Sequence, residues 1–178
     1  LKKYVSGTGS PMYYAARIAK EKYPDAKIVF VGPCVAKRKE AQRDEAVDFV
    51  MTFEEISSIF DAMEVNLEIV QPYAMEFSSV REAHGFAQAG GVMGAVKAFL
   101  KMEADKINAV QVSDLNKKNI AALRAYAKTG KAPGQFIEVM ACEGGCITGP
   151  STHSGSKSGK WQLSQELTKQ TKTYENME

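Results

Sequence analysis

Long hydrophobic runs are missing from this sequence. None approaches the roughly 18 apolar residues that a membrane-crossing helix needs, so no span is expected. No basic segment leads into an apolar one, and no secretory signal is visible. Charge of one sign is not in excess either: the formal net charge is +2 with 25% charged residues, too balanced for a nucleic-acid surface. Cysteine is scarce, with three residues, an odd number that argues against a disulfide framework and for a reducing, cytoplasmic setting. The only histidines, His84 and His153, lie in no metal-ligand spacing and are read as structural or exposed. Gly7-Thr8-Gly9 and Gly144-Gly145 are followed by no lysine-serine pair, and G-x-G-x-x-G is absent, so nucleotide binding is not supported. No internal repeat is evident.

What remains is 178 residues, 44% of them hydrophobic, enough to bury a core as one domain. Ser10-Pro11 reads as an N-cap followed by proline at the first helical position, with a helix over 12–23 ended by Pro24. Residues 26–31 form a short apolar run of the kind a buried parallel strand shows. A charged surface helix is expected to start within 38–44 and a second strand to occupy 46–51. Thr52 and Glu55 spell a capping box for a helix whose face carries Ile56, Ile59, Phe60 and Met63. The stretch 64–84 is poorly legible; Leu67 to Val70 reads as a short strand that Pro72 ends. A long helix is expected over 86–102 with Gly90-Gly91 inside it. A third strand over 107–112 leads through Ser113-Asp114 into a helix capped by Gly130, and the fourth strand is 135–140. Strands alternating with helices predict an α/β fold, a parallel four-stranded sheet flanked by helices. Domain 1–150 is expected to be followed by a serine- and glycine-rich linker and a polar segment, 151–178, helical around Trp161, Leu163 and Leu167.

The three cysteines each sit where a strand-like run ends, in Val31-Gly32-Pro33-Cys34-Val35-Ala36-Lys37 and in Val139-Met140-Ala141-Cys142-Glu143-Gly144-Gly145-Cys146. Groups beyond the carboxyl ends of parallel strands converge on one crevice, so a shared site for three thiols is expected. Thiolates are soft donors suited to zinc, copper(I) or iron–sulfur clusters. Three is one short of the four that a tetrahedral metal or a cubane takes. Read alone, Cys34 is equally a small hydrophobe at a strand end. The Cys142/Cys146 pair is a metal site, or a glycine-rich turn carrying redox-active thiols. Lys37 alone is a solvated surface lysine, and Met140 an ordinary core methionine.

Taken together, G-P-C-x-A-K-x-x-E at 32–40 and E-V-M-A-C-x-G-G-C at 138–146 resemble two signatures of the iron–iron hydrogenase large subunit, its C-terminal domain. Gly90-Gly91-Val92-Met93 and Ser10-Pro11 resemble further segments of that family, and the resemblance covers about residues 7–150. The family's first signature, T-S-C-C-P, does not occur and the chain opens at Leu1, so it resembles a C-terminal fragment of a longer protein. The resemblance implies one lobe of a two-lobed catalytic domain. It implies Cys34 and Cys142 as ligands of a 4Fe-4S cubane and Cys146 as the bridge to a di-iron subcluster in the full-length parent. Lys37 is implied to hydrogen-bond a cyanide ligand, Glu40 to orient or neutralise Lys37, and Met140 to pack against the di-iron unit. The missing N-terminal lobe would supply the fourth cubane cysteine; the fragment alone is expected to lack the intact cofactor and to be inactive. The implied activity is reversible dihydrogen oxidation and proton reduction, with an electron-transfer or signalling partner and neither nucleic acid nor membrane. Gly32, Met12 and the run Ile147 to Ser151 depart from the strongly catalytic pattern. Those departures favour a hydrogen- or redox-sensing module with the same cluster and little turnover. A cluster-free relative, or a thiol-redox protein using Cys142 and Cys146, is the third reading.

Overall fold

Several helices start where a side chain accepts from the orphan N–H groups of the first turn. In the computed structural model, which describes residues 1–71, 73 and 79–177, the elements run α1 (Pro11–Lys22), β1 (Val29–Gly32), α2 (Ala36–Ala41), β2 (Phe49–Thr52), α3 (Phe53–Ala62), α4 (Arg81–His84), α5 (Gly91–Leu100), β3 (Ala109–Ser113), α6 (Lys117–Thr129), β4 (Phe136–Met140) and α7 (Ser156–Lys169). The Ser10 hydroxyl accepts from the Tyr13 N–H at the head of α1, with Pro11 at its first position. Thr52 and Glu55 complete the expected capping box on α3. Gly130 ends α6 at φ 70°.

Two compact units are built from these elements. One comprises Val5–Pro72 with Pro150–His153. Here β1 and β2 pair in parallel, Val29 opposite Phe49 and Gly32 opposite Thr52. Met12 and Ala16 of α1 pack with Val47, Phe30 and Val50 on one face. On the other face Val29, Val31 and Phe49 are exposed. Ionic contacts brace the edge: Arg17 forks onto the nearly buried Asp44 at 3.0 and 3.1 Å, and Asp48 accepts from the Ile28 N–H at 2.8 Å and from Lys27 at 2.9 Å. Residues 150–153 join through the Ser151 N–H, which donates to the Pro33 carbonyl at 3.3 Å, and through His153, 2.9 Å from the Ser57 hydroxyl.

The other unit comprises Leu1–Tyr4, Tyr73–Gly149 and Ser154–Glu178. In it β3 and β4 pair in parallel, Ala109 opposite Phe136 and Ser113 opposite Met140. The C-terminal residues belong to this unit: the Arg81 N–H donates to the Lys172 carbonyl at 2.7 Å, and the Tyr174 ring meets Phe99 edge-on at 5.6 Å.

Several expectations are corrected. The four strands do not form one sheet among the described residues; they form two parallel pairs, each in its own unit. Periodicity marks which segments are strands, whereas pairing across non-adjacent strands is a tertiary choice. Leu67 to Val70 is not a strand but a turn whose apolar side chains are exposed, with no partner strand among the described residues to complete a ladder. Pro72, expected to end it, lies outside the described residues. The helix expected over 86–102 begins only at Gly91, because Gly90 stands at φ 89°, which no right-handed helix can pass through. The helix after Ser113-Asp114 starts at Lys117, where the Asn116 side chain caps it by accepting from the Asn119 N–H at 2.9 Å. Within 151–178, α7 begins at Ser156, inside the serine- and glycine-rich stretch, with Leu163 and Leu167 half-buried and Trp161 exposed.

Candidate functional site

Cys34 lies half-buried between β1 and α2, just past the end of the strand. Its carbonyl accepts from the Lys37 N–H at 3.2 Å, which starts the turn that becomes α2. That turn brings Lys37 onto Glu40, with Nζ 2.5 Å from Oε2, and the other carboxylate oxygen of Glu40 accepts from the Ser10 hydroxyl. Ser10 thereby caps α1 and braces the segment after Cys34. Burial opposes ionisation of Glu40, but the Lys37 and Ser10 hydrogen bonds and the Lys37 charge outweigh it and hold the carboxyl below its ordinary range. The Lys37 ammonium has three donors and Glu40 takes one, so others stay available to an anionic group.

The second cysteine motif grows from β4. The ladder continues past the strands: the Asp114 N–H donates to the Met140 carbonyl at 3.0 Å and the Leu115 N–H to the Ala141 carbonyl at 3.1 Å. Cys142 follows, half-buried, and Cys146 is exposed. Between them Gly144 and Gly145 stand at φ 82° and 97°. The Gly145 N–H closes the turn onto the Cys142 carbonyl at 3.1 Å, and the Gly144 N–H donates to the Ser113 hydroxyl at 2.8 Å. From the outside, the Ala89 N–H donates to the Gly144 carbonyl at 3.0 Å. A Cβ on Gly145 would lie 2.5 Å from the Ala89 nitrogen, so loop backbone rests directly on loop backbone. Beside this loop opens a polar cavity of about 630 Å³ lined by Gln88, Gln111, Ser113, Asn116, Glu143 and Lys160.

The structure brings Lys37, Glu40 and Ser10 together in one unit and Met140, Cys142 and Cys146 in the other. Met140 is half-buried at the end of β4, opposite Ser113. His84 is exposed, and His153 pairs with Ser57. Three residues around the loop were not read from the sequence as part of the site: Ser113, Lys160 and Glu138. Glu138 left a signal, a charge in the middle of the apolar run Phe136-Ile137-Glu138-Val139-Met140, which a buried strand tolerates only when its carboxylate is satisfied. Among the described residues, no three histidine, cysteine, aspartate or glutamate side chains gather into a metal site. The thiol donor type suits an iron–sulfur group, but three cysteines do not complete a cubane. The chain thus fits as a contributor of ligands and not as a complete site.

The fold is hydrogenase-like and α/β. It superposes on a chain from a structure of FeFe-hydrogenase in stepwise H-cluster assembly with a TM-score of 0.60, covering 92% of this chain and 60% of that one at 23% identity. It also superposes on a chain from a structure concerned with oxygen inactivation of FeFe-hydrogenase, with a TM-score of 0.64, covering 96% and 61% at 22% identity. The chain belongs to the family described as iron only hydrogenase large subunit, C-terminal domain, whose model matches residues 1–150. Among similar curated proteins, the cytosolic Fe-S cluster assembly factor narfl of Danio rerio is 28% identical over 82% of this chain and 47% of its own length. Iron hydrogenase 1 of Clostridium pasteurianum is 27% identical over 82% of this chain and 33% of its own length. The chain therefore spans about half, or less, of these relatives. No helix among the described residues is long and apolar enough to cross a membrane.

Proposed function

We propose that this chain is the cluster-holding part of a hydrogenase-like protein, in which the thiolates of Cys34, Cys142 and Cys146 bind an iron–sulfur cluster together with a ligand from elsewhere in the natural protein. The observation that supports this best is the Cys142–Cys146 loop. Its two glycines adopt positive φ, and its backbone is held by Ser113 and Ala89, with Cys142 half-buried and Cys146 exposed. When bound, such a group supplies electron transfer and, where a di-iron unit is attached, an open iron site for reversible dihydrogen oxidation. The chain's own residues divide the remaining work. Cys34 and Cys142 would hold the cubane, and Cys146 would hold the di-iron unit beside it. Glu40 and Ser10 fix the Lys37 ammonium, which donates to an anionic ligand in a poorly solvated pocket. Met140 packs beside it. The partner is the remainder of the same protein, with an electron-transfer or signalling partner beyond it, in the cytoplasm. Sensing with little turnover uses the same residues.

A second reading, a role in iron–sulfur cluster assembly, is favoured by the narfl relatives of Danio rerio and Xenopus tropicalis, at 28% and 24% identity; in that reading we infer a cubane without a di-iron unit. One experiment separates these readings. The natural full-length protein is reconstituted anaerobically with iron, sulfide and a synthetic di-iron complex that carries the cyanide and carbon monoxide ligands, its cubane read by electron paramagnetic resonance and those ligands by infrared spectroscopy. Both signals are expected. Cys34→Ala should abolish the cubane signal, whereas Lys37→Ala should spare it and weaken the infrared bands, at a cost of about 1.5–3 kcal/mol for one charge-assisted hydrogen bond. A cubane without infrared bands in the wild type selects the assembly reading. Neither signal, with iron absent, overturns cluster binding altogether.

A further inference from the structure

Glu138 is the one charged residue within either strand of its sheet, and it is nearly fully buried, at 6% exposure. A carboxylate taken out of water is costly unless hydrogen bonds replace its hydration. Both of its oxygens are engaged by backbone: the Gly90 N–H donates to Oε1 and the Met93 N–H to Oε2, each at 2.6 Å. Gly90 is the residue before α5 and Met93 its third, so the carboxylate caps that helix from a neighbouring strand, where negative charge also meets the positive end of the helix dipole. The cap fixes where Gly90 stands, and Gly90 fixes Ala89, whose N–H donates to the Gly144 carbonyl inside the Cys142–Cys146 loop. Gly145 rests on the backbone of the same segment, with its absent Cβ 2.5 Å from the Ala89 nitrogen and 2.7 Å from the Gln88 carbonyl carbon. On the strand side, Glu138 stands four residues before Cys142 on the rigid run that delivers it.

We propose that Glu138 is a positioning residue for the Cys142 and Cys146 thiols, holding the 87–90 turn as the bed on which their loop is laid. The consequence for a bound cluster rests on the cluster-binding reading above; the mechanical coupling does not. Glu138 acts by capping, so an acceptor is needed at both N–H groups. Alanine removes both, whereas glutamine retains one oxygen and presents its amide donors to the other N–H.

The test uses the natural full-length protein as wild type, Glu138→Ala, Glu138→Gln and Val110→Ala. The last trims a β3 side chain that has no part in the cap and serves as a control for general destabilisation. Hydrogen exchange is followed by mass spectrometry in peptides covering 85–93 and 141–148, with the peptide around Cys34 as internal reference. Glu138→Ala should speed exchange in both segments by at least about tenfold, the local opening expected when hydrogen bonds to a charged group are lost. Glu138→Gln should fall between it and wild type, and Val110→Ala should leave 141–148 unchanged relative to the reference. After reconstitution, the cubane electron paramagnetic resonance of Glu138→Ala should broaden or shift at equal iron content, and glutamine should restore it in part. Acceleration confined to 85–93, or matched by Val110→Ala, overturns the proposal. A wild type that takes up no iron while 141–148 still opens in Glu138→Ala sinks the cluster reading and leaves the positioning role standing.

Discussion

Replacing Gly145 by alanine should be the most damaging small change to the cysteine loop. Gly145 holds φ 97° and ψ −163°, a region used almost only by glycine, and a side chain forced there costs about 1–3 kcal/mol. The added Cβ would stand 2.5 Å from the Ala89 nitrogen, 2.7 Å from the Gln88 carbonyl carbon and 2.8 Å from the Ala87 oxygen. All three are backbone atoms, so none can swing aside as a side chain does, and overpacking of this kind typically costs about 1–3 kcal/mol. One backbone shift relieves both penalties together, so they do not add in full, and a net loss of roughly 2–4 kcal/mol is expected. Urea unfolding followed by far-ultraviolet circular dichroism measures it, and the Tm should fall by about 4–16 °C. Gly7→Ala is the control, because nothing lies within 4 Å of its Cβ position; it should stay within about 0.5 kcal/mol of wild type. A Gly145→Ala protein as stable as that control would refute the argument that this loop lies on the 87–89 backbone.

Two glycines of α5 should respond with opposite signs. Gly94→Ala, with open space around the new Cβ, should stabilise by about 0.5–1 kcal/mol, while Gly91→Ala, whose Cβ would meet the Gly85 carbonyl oxygen at 1.9 Å, should destabilise by about 1–3 kcal/mol or more; equal urea midpoints for the two would contradict the packing. Asp48 is held down to about 2, first by the Ile28 N–H and then by Lys27. A carboxyl with a depressed folded pKa contributes stability above its ordinary value and loses it as pH falls through the folded one. The wild type should therefore exceed Asp48→Asn by a constant margin above about pH 5 and lose that margin between about pH 4 and 2; a margin that persists at the acid end would show that Asp48 titrates normally.

Local rules in the sequence already place the caps at Ser10 and Thr52, the stop at Gly130 and most of the strand segments, because each depends on residues within one turn of chain. The cysteine words, read with their glycines, lead to the hydrogenase family over residues 1–150. Lys37 and Glu40 lie three residues apart on one helix face, so their ion pair too follows from spacing.

Other features depend on contacts between residues distant in sequence. Whether four strands make one sheet or two pairs is decided by which faces find cover, and here β1 with β2 and β3 with β4 pair in separate units. The apparent helix over 86–102 breaks at Gly90 because the turn must fit the Glu138 carboxylate, 48 residues away, and the Gly144 carbonyl. Composition shows Glu138 only as a charge in an apolar strand; its two N–H partners come from another element. The sequence by itself thus determined most of the elements, the caps at Ser10 and Thr52, the stop at Gly130 and the family, since these rest on local spacing. Only the tertiary structure decided strand pairing and the brace beneath the Cys142–Cys146 loop, because a buried carboxylate and a glycine pressed on backbone acquire their meaning from what packs against them.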